Sequence, residues 1–200
     1  MPKIVDKAFK RKEIAKIAME LFAQNGFDGT AIREITVRAG MGKGTFYDYF
    51  ANKEELLGEV VHLMFLEWTE LIISKLKEVK DPLSQLETLL KEGAKLGDEF
   101  EQLMILYVDV WRRSVRKKGS KKFNRRFQSF LLDSKTVVAE IIENAKTQGM
   151  IREEVDSNVI AIILIALVDG LCLHYMVLKP EINIDGICET FFDTLLQGMK

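Results

Sequence analysis

A short run of hydrogen-bonding residues stands beside two apolar anchors in the first quarter of the chain. Its members are Lys43, Gly44, Thr45, Tyr47 and Tyr49. Lysine, threonine and tyrosine side chains can bond to base edges and phosphates, and glycine lets a backbone approach a duplex closely. Phe46 and Phe50 are four residues apart, so on a helix they share one face and would fix it to a core. The pattern predicts a short helix that presents polar groups to a nucleic-acid groove.

Two earlier helices are expected to hold this short helix in place. Apolar residues at helical spacing predict the first helix over Phe9–Gln24, and Gly26 suits the left-handed position that follows a helix. Phe27 is expected to fold under it as a core anchor. Thr30 is predicted to be the N-cap of a second helix that stops at Gly40. Three helices with a tight glycine turn before the third predict a helix-turn-helix.

Apolar periodicity continues to the C-terminus and predicts about nine helices in an all-α chain. Asn52 is placed to cap the fourth helix, with Glu55 three residues later in a capping-box-like pattern, and this helix runs to about Lys77. The remaining predicted spans are Pro82–Leu96, Asp98–Lys117, Ser120–Gln148, Ser157–Leu178 and Ile184–Gly198. We assign residues 1–53 to a helix-turn-helix domain and residues 54–200 to a helical body.

Charge is unevenly distributed along a chain whose formal net charge is only −1. Residues 1–53 carry ten basic and six acidic side chains, whereas the remainder carries nineteen basic and twenty-four acidic ones. A basic head on an acidic body is typical of a protein with one polyanion-binding end. Charge alone does not exclude a chance fluctuation among solvated residues.

Residue types that carry catalysis or bind metals are sparse. His62 and His174 are far apart in sequence, and Cys172 and Cys188 stand in apolar surroundings. Neither a glycine-rich phosphate loop after a strand nor a Cys/His set with metal spacing is present. We therefore predict no enzymatic activity, no metal and no cofactor, and reduced buried thiols as in a cytoplasmic protein.

One stretch, Val159–Leu178, approaches the length of a membrane span. It contains Asp169 and His174, and an acid is costly at the middle of a bilayer. It also lacks basic flanks, and the chain begins without an apolar signal region. We predict no membrane association, and instead a helix covered by a core on one side and by a partner subunit on the other.

Residues 30–57 closely resemble the DNA-binding signature of the TetR family of bacterial transcriptional regulators, and the resemblance extends back through residues 14–27. The family usually has alanine at the place of Thr36, often serine or threonine at that of Gly42, and frequently a basic residue or histidine at that of Asp48. These departures bear on affinity and on the preferred operator sequence.

The resemblance implies a dimeric regulator, usually a repressor, that binds double-stranded operator DNA and is released by a small hydrophobic or amphipathic effector. It implies DNA contacts from Thr30, Arg33, Lys43, Gly44, Thr45, Tyr47, Tyr49 and Lys53. Tyr47 and Lys53 would anchor phosphates, and Lys43 and Thr45 would read bases. For Tyr49, contact with DNA and packing against the core are equally open.

The family also implies an effector core and a dimer interface in the helical body. The predicted pocket residues are Met64, Trp68, Met104, Tyr107, Trp111, Phe127 and His174. The predicted interface residues are Ile160, Leu164, Leu167, Leu171, Phe191 and Leu195. An aromatic and methionine set at helical spacing is more often ordinary core, and so are apolar helices. The alternative function is a helical ligand-binding or scaffold protein that does not act on DNA, which salt-dependent DNA binding would exclude.

Overall fold

The computed structural model describes residues 6–99, 101–116, 121–179 and 181–200, which form nine α-helices and no strand. The helices are α1 (Lys7–Gly29), α2 (Ile32–Arg38), α3 (Lys43–Tyr47), α4 (Lys53–Lys77), α5 (Pro82–Glu99), α6 (Glu101–Val115), α7 (Lys121–Thr147), α8 (Ser157–Leu178) and α9 (Ile184–Met199). The predicted all-α class and helix number are confirmed. Gly97 lies within α5 and does not end it. The predicted helix ends at Lys117 and Ser120 lie outside the described residues.

A kink at Gly26 interrupts α1. Its φ of 72° and ψ of 161° are not helical, and they fall in a region that essentially only glycine occupies. The predicted left-handed cap is therefore wrong, because that conformation needs a ψ near +47°. The kink directs Phe27 under the helix, where it is buried with its ring centroid 5.2 Å from that of Phe22. The predicted anchoring role of Phe27 is confirmed.

The turn between α2 and α3 is closed by two backbone hydrogen bonds. The Met41 N–H donates to Thr36 O at 2.9 Å, and the Gly40 N–H donates to Val37 O at 3.1 Å. Gly40 has a φ of 62°. This is the Schellman arrangement, in which a left-handed glycine satisfies the last carbonyls of a helix. It fixes the direction in which the chain leaves α2 and enters α3.

The chain divides into two compact units. The first comprises Met1–Trp68 and Gln102–Ser129, and the second comprises Thr69–Glu101 and Phe130–Lys200. The helix-turn-helix is thus grouped with most of α4, most of α6 and the start of α7. These compact units do not coincide with a boundary at residue 53, and the division of functions at that residue stays a prediction.

The second unit is built around α5, which packs against α8 and α9. A Cβ atom on Gly93 of α5 would lie 3.1 Å from Val168 Cγ1 of α8, so the two helices approach closely there. Neither Cys172 nor Cys188 forms a disulfide, and both side chains are buried. Burial raises the pKa of the Cys188 thiol, which disfavours the reactive thiolate.

Candidate DNA interface and effector core

The short third helix has one buried side and one exposed side. Phe46 and Phe50 are fully buried with ring centroids 5.8 Å apart, which confirms their predicted anchoring role. Lys43, Gly44 and Thr45 are exposed, and Tyr47, whose ring packs edge-on against Phe46, is 49% exposed. The structure therefore brings four of the predicted DNA-binding residues together on one accessible surface.

Thr30 has a different role from the predicted one. Its side chain is buried, and its hydroxyl donates to Leu21 O at 3.1 Å and Gly26 O at 2.9 Å. Ala31 is the N-cap of α2, and Glu34 accepts a hydrogen bond from the Ala31 N–H. The predicted N-cap and DNA contact of the Thr30 side chain are wrong, because threonine here satisfies carbonyls exposed by the kink in α1.

Lys53 also faces inward. Its ammonium donates to Phe27 O at 2.5 Å and Thr30 O at 2.7 Å, and lies 4.3 Å from the centroid of the Phe27 ring. Burial lowers the pKa of Lys53. The two carbonyls occupy two of the three N–H donors of its ammonium group. Binding of a phosphate by Lys53 stays a prediction and would have to use the third N–H.

The other predicted DNA contacts differ in exposure. Arg33 is exposed, whereas Tyr49 is half-buried and its backbone carbonyl accepts a hydrogen bond from Arg11. Thr36 is buried, and its hydroxyl donates to Arg33 O at 2.9 Å. The hydroxyl that distinguishes Thr36 from the usual alanine is thus satisfied within its own helix. Contact with DNA stays a prediction for Arg33 and Tyr49.

A cluster of charges from α6 holds the end of α1. Asp28 pairs with Arg112 at 3.0 Å and with Arg113, and the Arg113 guanidinium lies 3.8 Å from the Phe27 ring centroid. The hydrogen bond from Arg112 lowers the pKa of Asp28. Asp109 accepts from the Phe27 N–H at 3.4 Å. Sequence reasoning missed this cluster, although Arg113 shares a helical face with buried residues three and seven positions earlier, which is a usable signal.

Most of the predicted pocket residues lie in one aromatic core. All six belong to the first unit, and five are buried while Trp111 is half-buried: Met64, Trp68, Met104, Tyr107, Trp111 and Phe127. Ring centroids are 5.3 Å apart for Trp68 and Tyr107 and 5.0 Å apart for Trp111 and Phe127. Phe65, which is not among the predicted pocket residues, stacks on Phe127 with ring centroids 5.7 Å apart. The Trp68 indole N–H is buried, and no described residue accepts from it.

His174 does not belong with these six. It lies on α8 in the second unit, its side chain is exposed, and its Nδ1 is 2.7 Å from Gly170 O one turn earlier. An exposed imidazole that bonds to its own helix does not line a buried apolar cavity. The predicted pocket role of His174 is therefore wrong.

The predicted dimer interface is partly corrected. Leu164 and Leu171 are buried in the core of their own protomer, so they cannot form a surface between subunits. Ile160, Leu167, Phe191 and Leu195 are half-buried at the edge of that core, and their interface role stays a prediction. Six exposed apolar residues of α8 share one face of the helix, and we call them the α8 stripe: Val159, Ile162, Ile163, Ala166, Leu173 and Val177.

Within residues 6–99, 101–116, 121–179 and 181–200, no group of three His, Cys, Asp or Glu side chains could hold a metal ion. In the same part of the chain, α8 alone is long and apolar enough to cross a membrane by length and composition. Since core helices of other proteins pass this test, it is weak evidence.

A paired α2–α3 motif with an exposed polar face, joined to a helical body, defines a DNA-binding regulator. Residues 14–60 match the family model described as bacterial regulatory proteins, tetR family, and residues 82–197 match that of the BetI-type transcriptional repressor, C-terminal. The chain belongs to the TetR family of transcriptional regulators, whose members bind operator DNA as dimers and respond to small molecules. The predicted family and function are confirmed.

Full-length similarity supports this assignment. The chain is 27% identical over 193 residues to the HTH-type transcriptional regulator PksA of Bacillus subtilis (strain 168), covering 94% of this chain and 88% of that protein. Its fold matches that of a putative transcriptional regulator from Saccharomonospora viridis in complex with choline, with a TM-score of 0.81, 20% identity and coverage of 96% and 98%. It also matches AibR in complex with isovaleryl coenzyme A and operator DNA, with a TM-score of 0.67, 19% identity and coverage of 95% and 97%.

Proposed function

We propose that this regulator is a cytoplasmic repressor that acts by binding rather than by catalysis, and that Lys43, Gly44, Thr45 and Tyr47 contact its operator. The observation that carries the assignment of contacts is the exposed polar side of α3, held by the buried Phe46. A Cβ atom on Gly44 would meet nothing within 4 Å, so the helix offers an open edge to a major groove. Lys43 and Thr45 read bases, and Tyr47 donates to a phosphate.

Replacing Lys43 by alanine should weaken binding by about tenfold and alter the preferred sequence, because a base contact contributes about 1–3 kcal/mol. The operator is first selected from a random duplex library with the wild-type protein, and affinities are then measured from 50 to 200 mM salt. Lys80→Ala is the matched control, because it removes the same charge from an exposed position of the other unit. Equal effects of both substitutions would show that α3 is not the reading element.

We propose that the effector binds at the aromatic core around Trp68, Tyr107 and Trp111. A buried N–H without an acceptor costs about 1–3 kcal/mol, and a ligand with an acceptor atom would offset that cost at Trp68. The effector is therefore an apolar or amphipathic molecule that carries a hydrogen-bond acceptor. The molecules in the two structures named above, choline and isovaleryl coenzyme A, are too different to narrow its class.

Replacing Trp68 by phenylalanine should lower the affinity for the effector by about tenfold, because one buried hydrogen bond is lost while most ring contacts remain. Ligands are found by thermal-shift screening of carboxylic acids, acyl-coenzyme A esters and quaternary amines, since a ligand that binds the native state raises its stability. Trp111→Phe is the control, because it makes the same exchange at a neighbouring ring. If the two variants bind the ligand equally well, Trp68 does not donate to it.

We propose that the second subunit covers the α8 stripe. Within the stripe, the side chain of Ile162 is 56% exposed and that of Val177 is 79% exposed. Monomers rarely expose a continuous apolar surface of this kind. An open cavity of about 330 Å³ adjoins the stripe where Val159 and Ile160 meet Leu195 and Gly198, and gives a partner side chain a recess. Covering the stripe also accounts for the apolar character of α8 without a membrane.

A further inference from the structure

Arg11 contacts the chain directly after α3, which we call the recognition helix because it carries the proposed base contacts. Its guanidinium donates to the backbone carbonyl of Tyr49 and lies 4.2 Å from the centroid of the Phe50 ring. It also pairs with Glu55 at 3.1 Å and with Glu59 at 3.6 Å, both on α4. One side chain of α1 thus ties the end of α3 to α4.

The recognition helix has few other means of holding its orientation. α3 spans only five residues, one of which is buried, and its N-cap Gly42 has no side chain to close the first turn. A five-residue helix forms barely one turn, and such a helix is stable only through its tertiary contacts. The contacts at its two ends therefore set the direction in which Lys43 and Thr45 point.

Glu59 extends this connection to α7. Its carboxylate lies 3.4 Å from Arg126, and Arg126 also donates to the backbone carbonyl of Gly58. Arg126 directly precedes Phe127, a member of the aromatic core. The Glu59 carboxylate is therefore shared between Arg11, which holds α3, and Arg126, which belongs to the helix that carries part of the core.

We propose that Arg11 is a positioning residue for the recognition helix, and that Glu59 aligns Arg11 and links it to α7 through Arg126. The inference rests on the proposed DNA contacts of α3. Arg11 contributes to operator affinity by orienting α3 and not by touching phosphate, although it belongs to the basic head of the sequence.

The direction of the change in affinity on replacing Glu59 distinguishes a positioning effect from an effect of charge alone. If charge alone mattered, removing an acid from a DNA-binding unit would strengthen DNA binding, because it removes repulsion from the phosphates. If Glu59 aligns Arg11, removing its charge weakens binding instead. Lysine at position 11 would preserve the charge but not the planar fork that bonds a carbonyl and two carboxylates together.

The test measures operator affinity and its salt dependence for Arg11→Gln, Arg11→Lys and Glu59→Gln, on the sequence selected by the wild-type protein. Lys12→Gln and Glu54→Gln are the controls, since they make the same charge changes at exposed positions of α1 and α4. We expect Arg11→Gln and Arg11→Lys each to weaken binding by about tenfold, the loss of a charge-assisted hydrogen bond. We expect Glu59→Gln to weaken it by about threefold or more. The slope of log affinity against log salt should stay that of the wild type in all three.

Thermal melts of every variant distinguish positioning from simple loss of folding. At an assay temperature far below Tm, the unfolded fraction is negligible, so lost stability alone leaves the dissociation constant unchanged. If Arg11→Gln does not fold, the operator affinities of Arg11→Lys and Glu59→Gln decide the question. Tighter binding by Glu59→Gln, wild-type affinity of Arg11→Lys, or a slope reduced by about one in Arg11→Gln would overturn the inference. Failure of the wild type to select any sequence would overturn the DNA-binding function as well.

Discussion

Replacing Ile162 by aspartate should convert the dimer to monomers and weaken operator binding by at least about 100-fold. Ile162 is 56% exposed in the middle of the α8 stripe. In a twofold-symmetric contact each substitution occurs twice, so two unpaired carboxylates would have to be buried, at several kcal/mol each. Sedimentation velocity would measure the mass, and gel-shift titration of a two-half-site operator would measure the affinity.

The matched control is Ile73→Asp on α4, because Ile73 is 38% exposed and lies outside the stripe. It introduces the same charge in place of the same residue and should leave both mass and affinity unchanged. A dimeric Ile162→Asp protein would show that the subunits associate through another surface, and the assignment of the α8 stripe would be lost. Loss of dimers in both variants would indicate a general effect of added charge.

Replacing Phe46 by alanine should destabilise the first unit by about 3–5 kcal/mol, as expected for removal of a fully buried phenylalanine. Phe46 is 0% exposed and supplies the single buried side chain of α3. Without it the helix loses its anchor, so operator binding should disappear together with the stability. Urea denaturation monitored by circular dichroism would give the change in the free energy of unfolding.

Tyr47→Ala provides the comparison for Phe46→Ala. Tyr47 is the next residue of the same helix and is 49% exposed, so its removal should cost little stability and still reduce DNA binding. The two variants together separate the buried role of α3 from its exposed role. Equal stability losses at positions 46 and 47 would contradict the orientation of the helix described above.

Sequence patterns predicted the features that depend on local spacing. The four-residue interval between Phe46 and Phe50 determines one helical face, and both rings are buried as expected. Asn52 accepts from the Glu55 N–H at 2.8 Å, as its predicted capping role requires. These features follow from neighbours a few residues apart, which the linear chain displays directly.

The errors arose where packing in three dimensions, rather than the spacing of residue types, decides the outcome. Threonine is a residue type that favours N-caps, but the Thr30 hydroxyl points inward because the kink in α1 leaves the carbonyls of Leu21 and Gly26 next to it. Leu164 and Leu171 lie on a helix that is apolar nearly all round, and such a pattern does not indicate which side meets α5 and which side meets another subunit.

Charged residues show the same limit. The sequence shows Arg11 as one of several basic residues near the N-terminus, although all four of its contacts, with Tyr49, Phe50, Glu55 and Glu59, are separated from it by 38 residues or more. Spacing within α1 places Arg11 on the buried face three residues before Ile14. This position indicates that the Arg11 guanidinium points toward the core, but only the tertiary structure identifies the groups that it contacts.

The kink at Gly26 has a consequence for what the position can accept. A methyl group there would find room, since its nearest neighbour would be Asp109 Oδ2 at 3.9 Å. The obstacle is the backbone, because a left-turning φ of 72° with a ψ of 161° costs an ordinary residue about 1–3 kcal/mol. Reflection of these angles gives a conformation next to the extended region that L-residues favour. The backbone conformation, and not a lack of space, therefore disfavours L-alanine at position 26. D-alanine would adopt these angles without strain.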